Sequence, residues 1–276
     1  MFRFLTELFP QYWRSRIPST RYIPLAIFLA AAGLASHPTA SLVDWAFGFL
    51  LSYGLIAQFR LLDDLEDRDL DCFYNPNRIL CRAQTLTPFY AIFVLLVIIS
   101  TSLLSYWPTT RESLVTFLVL LGAYLFWYRF RSSRLPGTFR NAIVVLAKYP
   151  IMVGLIALGV KSKLVSLDIA ISAAVYATFL LYEELHDSRY RRKLMIQWMA
   201  TLYGVVITGL ILFVSTTQDA WLSRHQILGG LVLLITGLMV VWLLARNLTH
   251  RQLTLASYLP FAISFLAVFT ALSTSK

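Results

Sequence analysis

Residues 60–84 read RLLDDLEDRDLDCFYNPNRILCRAQ, and this stretch decides how the chain folds and what it does. It carries six of the fourteen acidic residues: Asp63, Asp64, Glu66, Asp67, Asp69 and Asp71. So many like charges at the end of an apolar run repel one another unless a cation sits among them or water surrounds them.

The run before it, SLVDWAFGFLLSYGLIAQFRLL from Ser41 to Leu62, is long enough to cross a bilayer. Similar runs recur along the chain, which is 58% hydrophobic and 14% charged with a mean hydropathy of +0.67. That balance excludes an ordinary soluble domain. We expect an all-α polytopic membrane protein with spans at 21–37, 41–61, 87–106, 112–129, 140–160, 165–183, 194–215, 226–245 and 253–273. The nine spans form one intramembrane domain over residues 1–276, and 1–20 make an N-terminal segment lying in the membrane interface.

With the N-terminus cytoplasmic, eighteen Lys and Arg residues fall on inner segments and five on outer ones, the bias expected of cytoplasmic loops. The net charge of +10 then faces anionic lipid headgroups or an anionic substrate. Nucleic acid is excluded as a partner, since the spans leave no soluble module to carry it. Cys72 and Cys81 lie on an inner loop, where a reducing compartment predicts free thiols.

Asp64, Asp67 and Asp71 are spaced i, i+3, i+7 and share one face if the helix continues through them. Asp63 borders that face. The span at 165–183 repeats the design: it ends in Glu183 and Asp187, spaced i, i+4, followed by arginines. Both clusters fall at the same membrane level. Carboxylate oxygens suit Mg²⁺, which binds through one or two carboxylates and a substrate's phosphates. Lys148, inside the span at 140–160, either serves as a ligand or snorkels to the interface.

DDLEDRDLD (Asp63–Asp71) resembles the NDxxDxxxD signature of the UbiA superfamily of intramembrane prenyltransferases. It matches at Asp64, Asp67 and Asp71, with Asp63 in place of the asparagine. NRIL (Asn77–Leu80) is similar to the NRPL that follows in that family, and Glu183 and Asp187 stand where its DxxxD would be. Tyr124, Tyr128 and Arg129 look like its YxxxK region with the lysine missing.

The resemblance implies transfer of a prenyl group from an isoprenyl diphosphate to an aromatic or other lipophilic acceptor. It also implies two Mg²⁺ ions held by Asp64, Asp67, Asp71, Glu183 and Asp187, with Asp63 as a further metal ligand. Arg78, Arg82, Arg129 and Lys148 are candidates for the diphosphate, and Tyr124, Tyr149 and Tyr182 for the cavity wall. The active site would face the cytoplasm. Two other readings stand beside this one. One is a membrane terpene cyclase, because Asp63–Asp67 also reads DDxxD; the other is a divalent-cation-binding or transport protein without enzymatic activity.

Overall fold

The computed structural model describes residues 7–37, 39–107, 110–130, 139–161, 163–186, 193–216, 224–245 and 249–274, and all regular structure among them is helical. The order is α1 (Phe9–Arg16), α2 (Ser19–Leu34), α3 (Leu42–Glu66), α4 (Arg68–Tyr74), α5 (Ile79–Arg82), α6 (Thr87–Leu104) and α7 (Thr110–Phe130). Then follow α8 (Phe139–Leu146), α9 (Lys148–Val160), α10 (Ser166–His186), α11 (Lys193–Thr216), α12 (Arg224–Ala245), α13 (His250–Ala256) and α14 (Leu259–Thr274).

Seven helical stretches among the described residues are long and apolar enough to cross a membrane, and the bent pair α1–α2 makes an eighth if counted as one span. The chain is thus a multi-pass integral membrane protein. Seven or eight spans stand against the nine expected: the predicted spans at 140–160 and 253–273 each fall on two helices, and α12 carries only a shorter apolar stretch, Leu231–Val240, by the same criterion. The chain turns by 63° between α1 and α2, where Pro18 is extended and breaks the helical path.

α3 starts in a capping box: the Asp44 backbone N–H donates to Ser41 Oγ, and the Ser41 N–H donates to the Asp44 carboxylate. Asp44 also accepts the indole N–H of Trp107 at 3.2 Å, which ties the N-terminal end of α3 to the loop after α6. Small residues set the spacing of the inner helices. Gly33 lets α2 lie against Ile156 of α9, and Gly159 gives room to the Trp107 ring; a Cβ at either position would fall within 3 Å of those side chains.

Polar side chains join the helices inside the bundle. Ser100 of α6 donates to Gln58 of α3 at 3.1 Å. Ser264 of α14 meets both Thr178 of α10 and Tyr203 of α11, whose hydroxyl also donates to the Pro260 carbonyl at 2.8 Å. Bonds of this kind stabilise helix packing where no hydrophobic force separates protein from lipid.

The predicted span at 140–160 is α8 and α9 with a break at Ala147. Pro150 accounts for it: the ring has no N–H to give the Leu146 carbonyl and crowds that turn. Tyr124 of α7 donates its hydroxyl to the Val144 and Val145 carbonyls, at 2.5 and 2.9 Å, and so satisfies acceptors beside the break.

One expectation from the sequence is overturned in the loop after α3. Cys72 and Cys81 are joined as a disulfide instead of standing as free thiols. The turn at Asn75–Asn77 folds α5 back on α4 and brings the two Cα atoms to 5.3 Å, inside the range a disulfide spans.

Candidate active site

α3 runs past its apolar stretch and ends at Glu66, with Asp67 closing the last turn and α4 starting at Arg68. Asp63 and Asp64 are about 100° apart around a helix, and they meet different neighbours of α3. Asp63 turns toward α7 and α9. There it accepts the Lys148 ammonium at 2.5 Å and the Tyr128 hydroxyl. Lys148 is the first residue of α9 and only 4% exposed, so it neither snorkels nor reaches solvent. Its position follows from the Ala147 break, which directs it at Asp63.

Asp64 turns toward α1. Arg16 grips it with two nitrogens, one at 2.8 Å, while Tyr12 donates at 3.0 Å and Arg60 approaches at 3.2 Å. The carboxylate is 4% exposed and Tyr12 is 1% exposed. Arg16 and Tyr12 were missed in the sequence because they come from the N-terminal segment, 48 and 52 residues away. The only trace of them was the basic, aromatic composition of that segment.

Asp71 is paired with Arg78 across the turn between α4 and α5. Asp67 sits half-buried at the α3–α4 junction, and Glu66 and Asp69 are exposed. Arg129 is exposed on α7 and does not take the place of the family's missing lysine; Lys148 meets the carboxylate instead. Asp187 lies outside the described residues.

Two cavities flank this region, and no residue lines both. The first, of about 680 Å³, lies among α2, α9, α10 and α14 and is walled largely by aromatic rings. Tyr149 stacks on Phe179 at 3.5 Å, and Phe179 and Tyr182 each meet Phe261 edge-on at 5.1 and 5.2 Å. Glu183 and Arg21 are its charged lining residues. The Lys148 ammonium, paired with Asp63, lies 5.7 Å from the Tyr149 ring, so that ion pair stands beside the cavity that Glu183 lines. Tyr149 and Tyr182 line it, whereas Tyr124 does not: its hydroxyl is spent on the α8–α9 break. Arg21 is a cavity residue the sequence reading left out.

The second cavity, of about 520 Å³, lies between α1 and the turn joining α4 to α5. Asp64, Asp71, Arg78 and Arg82 line it, together with Arg16. The predicted diphosphate residues are therefore divided: Arg78 and Arg82 belong to this second cavity, and Lys148 stands beside the first.

No group of three or more Asp, Glu, His or Cys side chains converges to hold a metal among the described residues. Asp63, Asp64 and Asp71 each face a cation of the chain instead. The described carboxylates do not fit a two-Mg²⁺ site in this arrangement.

No family model and no curated protein matches the chain by sequence. A solved structure does match: a digeranylgeranylglyceryl phosphate synthase in membranes, with a TM-score of 0.68 over 98% of this chain and 99% of the other, at 11% identity. A likeness at that identity is one of fold. Over 98% of its length, this chain has the fold of that synthase.

Proposed function

We propose that the protein transfers a prenyl group from an isoprenyl diphosphate to a lipophilic acceptor within the membrane, at a site open to the cytoplasm. The observation that carries this reading is an aromatic cavity inside a membrane bundle that Glu183 and Arg21 line, with the Lys148 ammonium, paired with Asp63, 5.7 Å from the ring of its wall residue Tyr149. The shared fold supports it.

A prenyl chain suits a 680 Å³ apolar space, and the diphosphate suits the charged lining residue Arg21, with the Lys148 ammonium near Tyr149 as a second cation. The carbon–oxygen bond to the diphosphate breaks, and the electron pair leaves with the diphosphate. The allylic cation left behind is stabilised by ring faces such as those of Tyr149, Phe179 and Phe261. The acceptor then bonds to that carbon and gives up a proton. Cations held in place around the leaving group lower the barrier because they need no reorganisation as charge develops.

By their spacing in the sequence, the carboxylates of residues 63–71 would suit Mg²⁺, although the described side chains converge on no such site. The test is to incubate the purified protein in vesicles with isoprenyl diphosphates, with and without a membrane lipid extract, and to analyse products by mass spectrometry. Prenylated lipid formed only with the extract supports transfer. Hydrocarbon or terpene alcohol formed without it supports cyclisation, and undiminished substrate in both arms overturns the reading.

A further inference from the structure

The short helix α4 buries none of its residues. Apolar packing therefore does little to fix it, and side-chain ties to the segment that follows do so instead. Arg68 Nε donates to the Leu80 carbonyl at 3.1 Å, Asp71 pairs with Arg78, and Cys72 is bonded to Cys81. At the other end of these ties α5 is anchored: Leu80 is 5% exposed and belongs to the cluster of Tyr12, Leu61, Leu65 and Phe89. Cutting the disulfide would thus loosen α4 and leave the core closed. Both cysteines are half-buried, and Cys81 lines the second cavity, so the bridge can be reached from outside.

We propose that Cys72 and Cys81 are a reversible thiol–disulfide site, opened by a dithiol reductant, whose state sets how firmly α4 is held. In the topology expected from the Lys and Arg bias this loop faces the cytoplasm, where a disulfide is as a rule transient or redox-sensing. The chain has two cysteines, so no third thiol competes for the pairing. The ion pair and the Arg68 bond keep the two thiols near each other once reduced, so the bond re-forms within the chain. In the opening step a thiolate of the reductant attacks Cys81 Sγ, the Sγ–Sγ bond breaks, and Cys72 leaves with the electron pair and takes a proton. The reductant's second thiol loses its proton, attacks the reductant's own sulfur in the mixed disulfide and releases Cys81, which is protonated in turn. Two electrons pass from the dithiol, which is oxidised to its disulfide, to the cysteine pair, which is reduced.

This inference does not rest on prenyl transfer, and its readouts are thiol mass and hydrogen exchange. The full chain in detergent is treated with dithiothreitol, alkylated with a maleimide without denaturant and weighed intact. Two maleimides are expected after reduction and none before. Reduced protein moved into oxidised glutathione should lose both reactive thiols without forming disulfide-linked dimers. Amide exchange over α4 should be about tenfold faster in the reduced protein, with exchange in α9 and the middle of α3 unchanged. The double variant Cys72→Ser with Cys81→Ser should exchange at the faster rate with or without reductant and keep the wild-type circular dichroism spectrum.

The reduced wild type carries the test without any substitution. Equal exchange over α4 in the oxidised and reduced protein overturns the proposal, because the bridge would then hold nothing. A bridge that dithiothreitol opens only after denaturation overturns it as well. So does faster exchange across the whole bundle on reduction, which would make the disulfide a structural staple, and so do disulfide-linked dimers on reoxidation.

Discussion

Lys148 and Asp63, 85 positions apart in sequence, meet at 2.5 Å where α9 begins and α3 nears its end. Neither charge is free to find water: the side chains are 5% and 13% exposed. Removing one partner strands the other. Lys148→Met should therefore destabilise the protein by about 3–5 kcal/mol, while Lys148→Met with Asp63→Leu should recover most of that loss. Thermal unfolding in detergent checks both, and a double variant no more stable than the single one would show that the two charges are not coupled.

Tyr124 distinguishes a structural role from a cavity role. Its hydroxyl serves two backbone carbonyls beside the α8–α9 break, so Tyr124→Phe should cost about 1–2 kcal/mol in stability. The preferred chain length of the isoprenyl diphosphate should not change. A shifted chain-length preference at unchanged stability would return Tyr124 to the cavity wall.

Close helix contacts predict two further costs. Gly33→Ala places a Cβ 2.6 Å from Ile156 Cβ, and Gly159→Ala places one 2.1 Å from the Trp107 ring. Each should destabilise by about 1–3 kcal/mol through forced displacement of packed side chains. Gly122→Ala, with no atom within 4 Å of the added Cβ, is the control and should be close to neutral.

The opposite end of the bundle carries a pH-sensitive group. His37 is 2% exposed and lies beside Ser36, 3.3 Å away; Ser36 in turn bonds Asp168 and accepts Lys161 at its carbonyl. Burial, reinforced by Lys161, holds the imidazole below its usual range, with Asp168 and Asp44 opposing. A lowered pKa means the folded protein binds the proton less readily than the unfolded chain. The stabilising contribution is then present above the unfolded value of about 6.5 and is lost as pH falls toward the folded value. The melting point should drop between neutral and mildly acidic pH, and His37→Gln should flatten that part of the profile. A wild-type profile that is already flat would contradict this.

Much of the architecture was legible in the sequence because membrane-spanning helices announce themselves by length and apolarity. The breaks were less so. Pro150 inside a predicted span was visible, but that it turns Lys148 toward Asp63 depends on the packing of α7 and α9. The carboxylates of residues 63–71 were identified as the ionic centre, yet a single face for Asp64, Asp67 and Asp71 assumed a helix that instead closes at Asp67. The partners of Asp64 could not be read at all: Tyr12 and Arg16 reach it only because the chain bends sharply at Pro18. Arg21 was hidden for the same reason, as one more arginine in a basic segment. The cysteines misled because compartment was weighed without the turn that brings Cys72 and Cys81 together.

The most direct test of prenyl transfer at this site is release of inorganic diphosphate from an isoprenyl diphosphate by the purified protein in vesicles, with Mg²⁺ and with a chelator. The account predicts release of diphosphate, and the Mg²⁺ and chelator arms test the metal role read from the carboxylate spacing of residues 63–71. It also predicts loss of release in both Glu183→Gln and Arg21→Gln, which remove the charged residues lining the aromatic cavity, while their circular dichroism spectra stay those of the wild type. Release that persists unchanged in both variants would contradict it.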